Sequence, residues 1–183
     1  MQKKENRRIT LTKKMLKEAL LRLLERESLE QINISGLCRE ADINRTTFYK
    51  YYTSPHDVLT DIGADLAEGF RIAHDLENAE LSGKEFLELI CAYLYKNAEL
   101  VKVLIRCNTD ADFAKLLNDF YESLWSMKGR LQGMDQLDAE SVRLISTYLG
   151  SGCYYLLRQW LIEEIPKTPQ EVAELLCRLI TKE

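Results

Sequence analysis

Apolar residues along this chain recur at intervals of three and four, and strand-like alternation is almost absent. The pairs Met15/Leu16, Ala19/Leu20 and Leu23/Leu24 repeat every four residues and draw one stripe along a first helix. Thr10 or Thr12 can cap its start, and it should end near Ser28. Asn33 can cap a short second helix through Ile34, Leu37, Cys38 and Ala41, and Asp42 then suits a left-handed turn. Asn44 can cap a third helix, Arg45 to about Tyr51, which is too short to hold itself together alone. Ser54-Pro55-His56-Asp57 opens a fourth that runs to about Leu76 or Glu77. Capping boxes at Ser82-Gly83-Lys84-Glu85 and Thr168-Pro169-Gln170-Glu171 open the fifth and the last. Between them the pattern predicts a sixth helix over 98–107 and a seventh from Asp110 or Asp112 toward Arg130. A loop over 129–138 follows, then a long eighth helix from an Asp138 cap to about Ile165. The fold class is all-α, with about nine helices.

Composition agrees. Of 183 residues, 46% are hydrophobic and 30% charged, the balance of a globular chain. No apolar run nears the ~20 residues of a membrane span, and no apolar signal region follows Met1–Arg8. The expectation is a soluble, cytoplasmic protein. The five cysteines, Cys38, Cys91, Cys107, Cys153 and Cys177, are odd in number and widely spaced, with no CxxC or Cys/His pair. They read as small buried apolar residues rather than disulfides or a zinc site, and neither metal nor cofactor is expected.

Charge divides the chain. Residues 1–56 hold twelve Lys/Arg and seven Asp/Glu, a net +5; the remainder is net −9, giving −4 overall. Lys3, Lys4, Arg7, Arg8, Lys13 and Lys14 crowd the start. A basic first third on an acidic body implies that this part meets a polyanion, against the simpler reading of a solvated tail.

Residues 33–52, NISGLCREADINRTTFYKYY, then read as a helix-turn-helix: two short helices about a turn of some three residues. In that motif the second helix enters the major groove and the first crosses the backbone. Arg45 can pair with guanine O6 and N7, or with a phosphate; Thr46 and Thr47 offer a hydroxyl and a methyl. Tyr49, Lys50 and Tyr51 can reach phosphates, as can backbone N–H groups; Phe48 suits the core. Asn33, Ser35, Asn44 and His56 complete the candidate DNA contacts. Enzyme motifs are missing: no glycine-rich phosphate loop, no GxSxG, no HExxH, and His56 and His74 stand far apart.

Asn44-Arg45-Thr46-Thr47-Phe48-Tyr49-Lys50-Tyr51-Tyr52, with Ser54 and the helix start at Asp57–Leu59, resembles the recognition-helix signature of the TetR family of transcriptional regulators. Ile43 takes the family's valine place and Tyr52 its phenylalanine place. Asn33, Ile34, Leu37 and Cys38 match the preceding Thr-Val-x-x-Ile-Ala helix. The likeness covers residues 9–60, with a looser one at Gly150-Ser151-Gly152, Trp160-Leu161 and Thr168–Ala173. Three positions depart from it: Asp42 replaces a turn glycine, Pro55 replaces a lysine near the DNA backbone, and Arg45 is unusually large.

The resemblance implies a DNA-binding head over 1–56 and a helical ligand-binding and dimerisation domain over 57–183. It further implies double-stranded DNA with a near-palindromic operator as partner, a homodimer, and a small-molecule effector whose binding releases a repressor through helix four. Activation is the less common alternative within the family, and a protein-only helical adaptor the alternative outside it. Candidate ligand contacts are Tyr93, Arg106, Phe113, Phe120, Tyr121, Trp125, Tyr148, Cys153 and Tyr155, although aromatics at helical spacing also serve as plain core. Apolar residues on more than one side of the last two helices imply partner helices. The candidate dimer contacts are Tyr148, Gly152, Leu156, Trp160, Leu175 and Leu179. His74 can lie at the surface or at a joint between domains.

Overall fold

The computed structural model describes residues 2–76, 81–107 and 137–180, and among these every regular element is helical. The described residues hold eight α-helices: α1 (Gln2–Leu24), α2 (Ile34–Glu40), α3 (Arg45–Phe48), α4 (Pro55–Leu76), α5 (Gly83–Lys96), α6 (Ala98–Cys107), α7 (Ala139–Ile162) and α8 (Pro169–Ile180). A single 3-10 turn, Leu29–Gln31, joins α1 to α2. The helix expected from Asp110 or Asp112 to Arg130 lies outside the described residues, as do Phe113, Phe120, Tyr121, Trp125 and the side chain of His74.

The chain forms two compact units, Met1–Gly69 and Phe70–Glu183. The first turns of α4 are bound into the first unit: Val58, Leu59 and Ile62 are buried, and Asp61 bonds to α1.

In the first unit, α1 supplies Leu16, Ala19, Leu20 and Leu23 to the core, and α2 supplies Leu37, Cys38 and Ala41. The helix does not begin at Thr10 or Thr12. It begins at Gln2, because Lys, Glu, Arg and Gln are good helix formers. Thr12 is buried inside it and donates to the Arg8 carbonyl at 3.0 Å rather than capping. Arg22 closes the α1–α2 hairpin on Glu40 at 2.8 Å.

In the second unit, α5 packs on α8 and α6 on α7. Leu87 and Cys91 of α5, Val101 of α6, Val142, Cys153, Trp160 and Leu161 of α7, and Val172, Ala173 and Leu176 of α8 are buried. The Trp160 indole stacks on Tyr95 with centroids 5.5 Å apart and donates to the Lys167 carbonyl at 3.0 Å. Helix α7 stops at Ile162, short of the expected Ile165. Glu164 turns left-handed at φ 51°, and Ile165 N–H bonds back to the Trp160 carbonyl at 3.2 Å. That pairing ends a helix by satisfying its last carbonyls. Lys102 of α6 fixes the turn by reaching Glu164 at 2.8 Å.

Candidate nucleic-acid interface

Each junction of residues 33–57 is closed by a local device. Asn33 Oδ1 accepts Gly36 N–H at 2.9 Å and starts α2. Asp42 adopts φ 53°, and Ile43 N–H returns to the Cys38 carbonyl at 2.9 Å, ending α2 as a glycine would. Asn44 Oδ1 accepts Thr46 N–H at 2.8 Å and starts α3. Ser54 and Asp57 cap α4 reciprocally: Ser54 N–H donates to Asp57 at 3.1 Å, and Asp57 N–H donates to Ser54 Oγ at 3.2 Å. Asp57 also accepts Thr53 N–H at 2.7 Å. Hydrogen bonds from Thr53, and then from Ser54, hold the Asp57 carboxyl below its ordinary value.

Helix α3 has one buried anchor. Phe48 is fully buried, which stabilises the hairpin by about 2–3 kcal/mol; a four-residue helix cannot draw that from its own hydrogen bonds. The expected extension to Tyr51 is a tighter turn in which Tyr51 and Tyr52 N–H both bond to the Phe48 carbonyl. With Phe48 facing inward, Arg45, Thr46, Tyr49 and Lys50 are exposed together, and Thr47 and Tyr51 are half-buried. Arg45 Nη2 donates to the Tyr49 hydroxyl at 3.4 Å, with its guanidinium 6.0 Å from the ring centre. The Tyr49 ring stands edge-on to Phe48 at 5.6 Å. Ser35 is exposed on α2; His56 is half-buried at the start of α4, its Nδ1 3.5 Å from Thr60 Oγ1.

Behind this face lies a polar cluster that local sequence patterns did not reveal. Tyr52, 5% exposed, donates to Asp61 Oδ2 at 2.5 Å. The same oxygen takes the ammonium groups of Lys13 at 3.2 Å and Lys17 at 3.1 Å, and Lys17 also reaches Asp65 at 2.6 Å. Burial alone would raise the Asp61 carboxyl, but hydrogen bonds from Tyr52, Lys17 and Lys13 outweigh it and hold the group at about 2. Burial, and then the Asp61 carboxylate, push the Tyr52 phenol well up. Lys13 is therefore engaged inside the head, although it belongs to the basic N-terminal run.

Of the candidate pocket residues, Tyr93, Arg106, Tyr148, Cys153 and Tyr155 lie among the described residues. Cys153 is buried, and Tyr93 is half-buried against Phe70, with ring centres 5.5 Å apart. Tyr148 is 79% exposed, Tyr155 60%, and Arg106 is also exposed. The described part of the unit thus gives Tyr148, Tyr155 and Arg106 no enclosed position. The candidate dimer residues divide as well. Tyr148, Gly152, Leu175 and Leu179 are exposed and Leu156 is half-buried, while Trp160 is 3% exposed and belongs to the unit's own core. Leu144, 73% exposed, joins the exposed set. Ser146 is a further residue the sequence did not single out: it is 1% exposed, and its Oγ has no hydrogen-bond partner among the described residues.

Among the described residues no group of three His, Cys, Asp or Glu side chains can hold a metal ion, and no helix is long and apolar enough to cross a membrane.

Residues 83–182 match the family model of a transcriptional regulator C-terminal region. Solved structures of similar fold include a TetR transcriptional regulator from Streptococcus agalactiae, at 16% identity, 99% of each chain covered and a TM-score of 0.73. The fatty acid degradation regulator FadR from Bacillus halodurans is similar at 16% identity over 91% of this chain and 96% of that one, TM-score 0.64. The dihydroxyacetone kinase operon activator DhaS is similar at 16% identity over 92% and 93%, TM-score 0.58. No curated protein sequence matches the chain.

Proposed function

Because the chain belongs to the TetR family of transcriptional regulators, we propose that its head reads double-stranded DNA by laying α3 in the major groove. The observation that carries this is the exposure of Arg45, Thr46, Tyr49 and Lys50 along α3 and the turn that continues it, with Phe48 sealing the inner side. That face offers a guanidinium fork, hydroxyls, a methyl and an ammonium group, the chemistry that meets base edges and phosphates. Asn33, Ser35, Asn44, Thr47, Tyr51 and His56 flank it as further contacts; the side-chain oxygens of Asn33 and Asn44 are already engaged in helix caps.

Two copies associate through the exposed apolar residues of α7 and α8, and bring two heads to half-sites about 34–36 Å apart on a near-palindromic operator. The second unit carries the effector site, and Ser146 is the buried hydroxyl that a small molecule with a polar group can engage. Effector binding favours the conformation whose heads do not match the operator, so that the protein represses until it is released. The shift is limited by the effector's differential affinity for the two states.

Selection of bound sites from a random duplex pool at fixed salt tests this reading. The expected result is an enriched inverted repeat whose affinity falls steeply with salt. A folded protein that enriches no sequence would overturn it and favour the protein-only adaptor.

A further inference from the structure

Four basic side chains of α1 are engaged by carboxylates: Lys13 by Asp61, Lys14 by Glu18, Lys17 by Asp61 and Asp65, and Arg22 by Glu40. Arg45 differs. It opens α3, it is exposed, and its partner is a neutral hydroxyl. We propose that Arg45 reads a guanine in each half-site, and that Tyr49 is the residue that positions it rather than a phosphate contact. This rests on the DNA-binding reading above.

The geometry forms a chain of supports. Positions 45 and 49 are four apart, so their side chains meet on one helix face. The Tyr49 hydroxyl accepts a hydrogen bond from Arg45 Nη2 at 3.4 Å, and the guanidinium lies 6.0 Å from the ring centre. The ring is braced edge-on by Phe48 at 5.6 Å and 81°, and Phe48 is fully buried. A long, flexible arginine is thereby referred to the core of the head through one aromatic contact. Preorganisation of this kind lowers the entropy lost on binding.

The chemistry selects the base. A guanidinium has five N–H donors and no acceptor. One donor goes to Tyr49, which leaves others to form a parallel pair. Guanine alone presents two acceptors, O6 and N7, on its major-groove edge. Adenine pairs an acceptor with a donor, cytosine offers a donor, and thymine a single acceptor beside a methyl. A lysine lacks the rigid planar fork and holds the two acceptors with less geometric specificity.

The test is site selection and titration with the full-length protein and the variants Arg45→Ala, Arg45→Lys and Tyr49→Phe, each first shown by thermal melting to fold as the parent does. The parent is expected to enrich a guanine at one symmetric position per half-site, and changing it to adenine should weaken binding about 5- to 150-fold. Arg45→Ala should abolish that preference and leave the others. Arg45→Lys should weaken it while keeping the salt dependence. Tyr49→Phe, which keeps the ring and loses the hydroxyl, should reduce the guanine preference several-fold with the salt slope unchanged. A Tyr49→Phe loss equal for all sequences, with a salt slope lower by about one, makes Tyr49 a phosphate contact and overturns its positioning role. An inverted repeat whose preferences survive Arg45→Ala overturns the guanine assignment alone. No enrichment by the folded parent overturns the DNA-binding reading itself, and the inference with it.

Discussion

Tyr52 donates its hydroxyl proton to Asp61, nine residues on, and so fastens the turn that follows α3 to the second turn of α4. Lys13 and Lys17 bring α1 to the same carboxylate. Three segments distant in sequence are held through one carboxyl group whose pKa is about 2. A depressed carboxyl contributes stability that is fully present above its unfolded value near 4 and is lost as pH falls toward 2. Asp61→Asn is therefore expected to cost about 2 kcal/mol at pH 7 and to flatten the loss of stability between pH 4 and pH 2. Urea unfolding of parent and variant across that range checks it; parallel curves would show that the cluster contributes no pH-dependent stability.

Asp42 occupies the left-handed turn of the hairpin at φ 53°. An aspartate tolerates that region, a glycine adopts it freely, and a β-branched residue resists it. Asp42→Gly is expected to change stability by less than about 1 kcal/mol, since relief in the folded state opposes greater freedom in the unfolded one. Asp42→Val should cost about 1–2 kcal/mol. Thermal melts of the two variants separate these outcomes, and equal behaviour would mean that the turn relaxes around valine.

Ser146 buries a hydroxyl without a partner among the described residues. An unmade hydrogen bond in such a place costs about 1–3 kcal/mol. Ser146→Ala removes the group while leaving almost the same volume, and is expected to raise Tm. The same change should weaken any effector that releases the operator. A variant that loses stability would mean that the hydroxyl already has a partner.

The elements legible in the sequence were those closed by neighbours. The caps of Asn33, Asn44, Ser82 and Asp138 and the box of Thr168 with Glu171 each act within three residues, and each is present. Asp42 was readable for the same reason. Long-range chemistry was not. Lys13 and Asp61 are 48 residues apart, and nothing in either segment marks the other. The first turns of α1 resemble a charged tail because their residues have good helix propensity but no apolar stripe. Ser146 looks like any small polar residue in an apolar helix until its surroundings are known. Trp160 reads in the sequence as a dimer contact, but Tyr95 and the Lys167 carbonyl already engage it.

That last distinction yields a test of the dimer. Leu144, Tyr148 and Tyr155 are exposed along α7, and Leu175 and Leu179 along α8. Spacings of four and seven keep the α7 residues on one stripe, and an exposed apolar stripe of this kind marks an interaction surface. Tyr148→Glu and Leu179→Glu place charge where the partner's apolar side chains should pack. Each is expected to convert the protein to monomers by sedimentation while its helical signal is kept. Operator affinity should then fall by about two orders of magnitude or more, because the second head no longer binds at a raised effective concentration. Trp160→Ala should behave differently, costing about 3–5 kcal/mol of stability from within one protomer. If the two glutamate variants remain dimers with parent affinity, the association surface lies elsewhere and these helices face a different partner.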